Sequence, residues 1–146
     1  MLTVVTFAGK KRERMMTRKD YERYAAAFNA RDYDAVFDFY AENPRMAFFG
    51  VEITTREQLR AFYTFLHTYV RETVTIERFA FSDQLAAVEG IVRVEGIADL
   101  TREELDARGL EQFFPIAKGE VQEMRQYIHY HLEGGKIASV GCALVP

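Results

Sequence analysis

At 146 residues, 49% of them apolar and 14% aromatic, the chain fits one domain, which at this size buries roughly 70% of the surface its unfolded form exposes and needs no metal or disulfide to fold. Nineteen Lys and Arg against 22 Asp and Glu leave a formal net charge of -3, which argues against nucleic acid and anionic membranes as partners. The lone Cys142 cannot close an internal disulfide, Met1 to Phe7 is too short and too uncharged at its front for a secretory leader, and no apolar run approaches the ~20 residues a bilayer crossing needs; a soluble, cytoplasmic protein is expected.

Residues 1–16 read as an extension, disordered or forming an extra strand, and 17–146 as the domain. Leu2 to Phe7 is β-prone and is followed by Gly9 and the basic residues Lys10, Lys11, Arg12 and Arg14, the composition of a solvated tail. Thr17 and Asp20 have the spacing of a helix-opening cap. From there Tyr21, Tyr24, Ala25 and Phe28 recur at three- and four-residue steps, which predicts a first helix with one buried face. Asp32 can cap a second helix carrying Val36, Phe37 and Tyr40, with Pro44 expected to end it. Met46 to Ile53, centred on Gly50, reads as a strand pair or kinked strand. Thr55 and Gln58 form a capping box for a third helix, whose buried stripe is Leu59, Phe62, Tyr63 and Leu66; His67 then falls on the surface or rim.

Beyond Val70 the texture changes to β-branched and alternating residues in four runs: Glu72 to Phe81, Leu85 to Ile97, Glu120 to Leu132 and Lys136 to Val145. Ser82-Asp83-Gln84 and Glu133-Gly134-Gly135 are short turns that imply antiparallel hairpins. Between Ile97 and Gly119 lies an excursion with a short helix framed by Thr101 and Glu104 and ended by Gly109; its Phe113-Phe114-Pro115 segment suits equally a lid over a pocket and an arm on a partner subunit. Helices followed by antiparallel strands give an α+β class, with a strongly curved, mostly antiparallel sheet wrapped around three N-terminal helices and a hollow left at one end.

Three stretches carry a family resemblance: Arg23 to Asp34 followed by Phe39-Tyr40-Ala41-Glu42, then Thr55 to Tyr63, then Tyr130-His131-Leu132-Glu133-Gly134-Gly135-Lys136-Ile137. In order and spacing the chain resembles the nuclear transport factor 2-like superfamily, which includes ketosteroid isomerases and SnoaL-type cyclases. The resemblance implies a cone-shaped, cystatin-like roll with a mixed sheet. It also implies site positions. The enolate-stabilising Tyr of ketosteroid isomerases falls on Tyr24, while their proton-shuttling Asp falls on Phe48 and their hydrogen-bonding Asp on Ile128. The His and Asp pair of SnoaL-type cyclases falls on Ile128 and Cys142.

Strand parity places Ile128, Tyr130 and Leu132 on the inner face and Tyr127, His129 and His131 on the outer face with Glu123 and Arg125. A one-residue slip would instead bring His129 and His131 into the hollow. Their i, i+2 spacing is one a metal site can use, but no third ligand accompanies them, so no metal and no cofactor is expected. Cys142 reads as an inert thiol in an apolar strand.

The expected function is binding of a small apolar or aromatic molecule in a pocket lined by Tyr24, Phe28, Phe48, Phe62, Tyr63, Ile128, Tyr130 and Cys142. An isomerase, lyase or cyclase acting next to a carbonyl is the alternative, with Tyr24 as oxyanion donor and a base such as Glu52, Asp99 or a His. A third reading is a dimerising module without a ligand. A homodimer is expected through the outer face at Arg125, Tyr127, His129 and His131.

Overall fold

The computed structural model describes residues 16–146, so the readings made for the first fifteen residues lie outside it. Met16, assigned above to the extension, packs into the core at 2% exposure. The elements run α1 (Arg18–Asn29), α2 (Tyr33–Phe37), β1 (Tyr40–Phe48), β2 (Val51–Ile53), α3 (Arg56–Tyr69), β3 (Val70–Phe81), β4 (Leu85–Gly96), α4 (Arg102–Ala107), β5 (Val121–Glu133) and β6 (Lys136–Leu144). The strands form one curved six-stranded sheet in the order β2-β1-β6-β5-β4-β3. Every pairing is antiparallel except that of β1 with β6. Register shifts between Ile76 and Arg78, and between His131 and Leu132, add the bend that lets the sheet wrap the helices.

Each helix starts where its cap is written. The Thr17 hydroxyl accepts from the Asp20 amide while the Asp20 carboxylate accepts from the Thr17 amide, closing a capping box at the head of α1. Thr55 accepts from the Gln58 amide at the head of α3, but the Gln58 side chain accepts from the Thr54 amide, one residue before the cap. Tyr21, Tyr24, Ala25 and Phe28 are the buried face of α1, and Leu59 and Phe62 belong to that of α3.

One sequence expectation fails after α2. Its helix ends at Phe37, Tyr40 opens β1, and Pro44 lies buried within that strand instead of ending a helix. The proline falls in the stretch where the β1–β6 register shifts between Tyr40 and Arg45, and a ladder interrupted there does not need the missing N–H. The β1–β2 turn at Phe49-Gly50 has φ of 49° and 79°, the left-handed geometry that a tight hairpin requires.

Along β5, Gln126, Ile128, Tyr130 and Leu132 are buried while Tyr127, His129, His131 and Glu133 are exposed, which is the expected parity. The excursion after β4 is tied back at its neck, where the Gly96 amide donates to the Glu120 carbonyl and the Gly119 amide to the Gly96 carbonyl. Leu100 and Ile116 form a bridge across it, and Leu105 and Leu110 anchor it in the core. Among the described residues no helix is long and apolar enough to cross a membrane.

Candidate functional site

Between α1, α3 and the inner face of the sheet lies a cavity of about 160 Å³. Helix α1 contributes Tyr21, Tyr24 and Phe28; α3 contributes Phe62, Tyr63 and Leu66; β5 and β6 contribute Ile128, Tyr130 and Cys142. The excursion adds Gln112, Phe113, Phe114 and Ile116. Phe114 lines the hollow yet is 62% exposed, so it marks the mouth. Phe113 sits with its ring centroid 5.7 Å from that of Phe62 and 5.4 Å from that of Phe49, packing the excursion over the cavity as a cover.

The lining carries the phenols of Tyr21, Tyr24, Tyr40, Tyr63 and Tyr130 beside Glu72, Gln112, Gln122, Gln126 and Cys142, and the phenols other than Tyr63 are hydrogen-bonded in pairs. Tyr24 and Tyr40 hydroxyl oxygens lie 2.7 Å apart, as do those of Tyr21 and Tyr130. One proton of each pair fills the bond and the other remains available, because a hydroxyl is one donor with two acceptor sites. Ring packing fixes them: Tyr24 stands 5.7 Å from Tyr130 in a T-shaped contact and 5.5 Å from Phe39 in another. Burial raises the pKa of Tyr21 to about 12 against the relief given by its Tyr130 bond. Burial also holds Tyr24, Tyr63 and Tyr130 well above the usual phenol range, with the neighbouring tyrosines adding to it. These groups are therefore neutral donors.

Seven of the eight residues assigned to the pocket from sequence line the cavity, and the side chain of the eighth, Phe48, lies outside the described ones; Phe49, next to it, lines the hollow instead. Ile128 and Cys142 face each other as direct partners across β5 and β6, so the two positions to which the resemblance assigns the His and Asp pair are adjacent but carry an isoleucine and a thiol. Burial, followed by the charge of Glu72, pushes the Cys142 thiol up, away from the thiolate a nucleophile would need. Glu52 and Asp99 are exposed and absent from the lining, and Asp99 instead accepts from the Lys118 amide. His129 and His131 are on the exposed outer face. Among the described residues no three His, Cys, Asp or Glu side chains are grouped to hold a metal ion.

Two residues depart from the sequence reading. His67 is not at the surface or rim: it is 3% exposed, stacked 5.4 Å from Tyr63, with Nδ1 2.7 Å from the Tyr33 hydroxyl and Nε2 3.2 Å from Glu72 Oε1. A helix-end histidine is buried here because β3 leaves α3 directly at Val70 and folds Glu72 back onto it. Glu72 itself lines the cavity and was missed. Its signal was parity: Val70, Glu72 and Val74 all line the hollow, and a strand begun at Val70 instead of Glu72 puts the carboxylate on the inner face. Tyr21, Tyr40, Gln122 and Gln126 also belong to the inner polar set.

The model of the SnoaL-like domain matches residues 21–140, and the chain belongs to that family. Among solved structures it is similar to a candidate polyketide cyclase from Silicibacter sp. TM1040, at 22% identity over 86% of this chain and 85% of that one, with a TM-score of 0.70. A SnoaL-like polyketide cyclase from Agrobacterium tumefaciens C58 aligns at 15% identity over 87% and 90%, TM-score 0.66. A protein of ketosteroid isomerase-like fold from Catenulispora acidiphila, solved with trimethylamine, aligns at 15% identity over 87% and 85%, TM-score 0.65. At these identities the likeness is one of fold. Among curated proteins none matches.

Proposed function

We propose that this SnoaL-like domain binds a small, flat, largely apolar molecule in the cavity, held by hydrogen bonds from the tyrosine hydroxyls. The observation that carries this reading is a hollow of about 160 Å³ lined by aromatic rings, with two phenol pairs each keeping one proton unspent. A dry apolar cavity of about 150 Å³ accommodates a single benzene ring, so the ligand is of one-ring size unless the Phe113 and Phe114 cover moves.

A thermal-shift screen of aromatic, steroid-like and polyketide-like compounds tests it on the parent and on Tyr24→Phe. A ligand at 100 times its Kd stabilises by about 2.7 kcal/mol, roughly 5–10 °C for a domain of this size. Shifts in the parent that shrink in Tyr24→Phe are expected. Absence of any shift in the parent sinks the reading, and equal shifts in both proteins remove Tyr24 from the site.

An isomerase, lyase or cyclase working beside a carbonyl is the second reading, with the Tyr24–Tyr40 pair as oxyanion donor. What favours it is Glu72, a carboxylate in the lining of the same hollow. Solvent deuterium entering the α-carbon of a bound ketone, and ceasing to do so in Tyr24→Phe, is the expected sign; a bound ketone that never exchanges speaks against it.

The outer face of the sheet suits a second copy of the chain. Tyr127 and Val121 stand 47% and 45% exposed beside His129, His131 and Arg125, and residues of both signs alternate there, as a self-complementary two-fold contact needs.

A further inference from the structure

The wall of the cavity carries a charge. Among the described residues Glu72 is the only carboxylate in the lining, and no Lys, Arg or His lines it. Of the two cationic candidates nearby, Arg31 is directed elsewhere and His67 backs the carboxylate from outside the lining. Arg31 spends its guanidinium on the carbonyl oxygens of His67 and Val70, at 3.0 and 2.9 Å, where α3 gives way to β3. His67 stands behind Glu72, at 3.2 Å from Oε1, and is itself tied to Tyr33 through Nδ1. A carboxylate offers about four acceptor sites, and His67 occupies one. Oε2 receives no hydrogen bond from the described residues, and the side chain keeps 17% of its surface accessible.

The charge is felt inside the hollow. Behind burial and the neighbouring Tyr40, Glu72 is a further cause that holds the Tyr63 hydroxyl protonated, and after burial it is the second cause that holds up the Cys142 thiol; both groups line the cavity. A carboxylate in a water-poor, low-dielectric wall repels an anionic ligand and attracts a cationic one far more than it would in bulk solvent. The rest of the wall matches that preference, since rings such as those of Phe28, Tyr63 and Tyr130 accept an apolar body and carry the negative ring faces that attract ammonium groups.

We infer that the ligand is a small aryl or alkyl ammonium, its protonated nitrogen set against Glu72 and its apolar body among the aromatic rings. This inference rests on the ligand-binding reading above and adds the charge of the ligand to it.

Benzylamine, an ammonium at neutral pH, and benzyl alcohol, a neutral molecule of nearly the same shape, separate the two claims. Isothermal titration of the full chain at pH 7 is expected to show benzylamine binding about tenfold or more tighter than benzyl alcohol, the fold-change of one hydrogen bond to a charged group. Glu72→Gln should erase that advantage while leaving benzyl alcohol within about twofold of its parent value. Equal or weaker binding of benzylamine by the parent overturns the inference and leaves the pocket reading standing. So does an advantage that survives Glu72→Gln. Failure of every ring compound, charged or neutral, overturns the pocket reading and the inference with it. Should Glu72→Gln not fold, as judged by circular dichroism, the parent comparison decides together with Glu72→Asp, which keeps the charge and must keep the preference for benzylamine; its loss there counts against the inference.

Discussion

Tyr24 on the first helix and Tyr40 at the start of the first strand share a hydrogen bond of 2.7 Å between their hydroxyls, which among the described residues is the side-chain bond that ties these two elements together inside the core. Removing either hydroxyl leaves its partner buried with nothing to bond. Tyr24→Phe and Tyr40→Phe are each expected to cost about 1 kcal/mol, and the double replacement about the same as one alone, because deleting both partners leaves no orphan. Urea denaturation of the four proteins measures it; strictly additive losses would mean that the two hydroxyls act independently.

Alkaline pH should destabilise the protein through its phenols. The folded pKa of Tyr21 is about 12, raised by burial, and those of Tyr24, Tyr40, Tyr63 and Tyr130 are raised for the same reason, whereas unfolded phenols titrate near 10. The folded state therefore holds more protons between these values. Stability from this source is whole below about pH 10 and falls as pH climbs through 12. Absorbance at 295 nm should show these five phenols ionising together with loss of the circular dichroism signal; smooth ionisation of all eight tyrosines near pH 10 in a folded protein would contradict it.

Gly96 is where the excursion leaves the sheet. A Cβ there would stand 2.1 Å from the Ala117 carbonyl oxygen, a backbone atom that cannot turn aside. Gly96→Ala is expected to cost about 3 kcal/mol or more, or else to push the segment from Asp99 to Lys118 off the cavity. Faster proteolysis within that segment, at unchanged far-UV circular dichroism, would report the second outcome. A Tm within a degree of the parent, with unchanged proteolysis, would show that the neck is not tight.

Pairing through the outer face is expected to give a particle of about twice the 16.9 kDa chain mass, and Tyr127→Glu with His129→Glu to give a monomer by repelling itself across the two-fold. Light scattering behind size exclusion reads this directly. A parent that is monomeric at high micromolar concentration rules the contact out.

Much of the architecture can be read in the chain before any coordinates, because local chemistry and global fold agree there. The Thr17 cap, the Tyr21-Tyr24-Phe28 stripe and the inward parity of Ile128, Tyr130 and Leu132 are each written within a few residues of one another. Pro44 misleads, since a proline is a helix stop by local rules and only the irregular pairing of β1 with β6, contributed by residues near position 139, lets it sit in a strand. The tie between His67 and Glu72 is just five residues long, yet it escaped because the periodicity of α3 and that of β3 meet there and neither pattern shows how sharply the chain turns. The Tyr21–Tyr130 bond, spanning 109 positions, has no sequence signal at all.

The pairing of like with like at Tyr24–Tyr40 and Tyr21–Tyr130 carries one more implication. In each pair either hydroxyl can give the proton and the other receive it, so a guest bound as proposed can meet the pair as donor or as acceptor. On the proposed ligand-binding reading, such a wall suits a ketone and an alcohol alike, and discrimination among guests is expected to fall to their outline and their electrical charge.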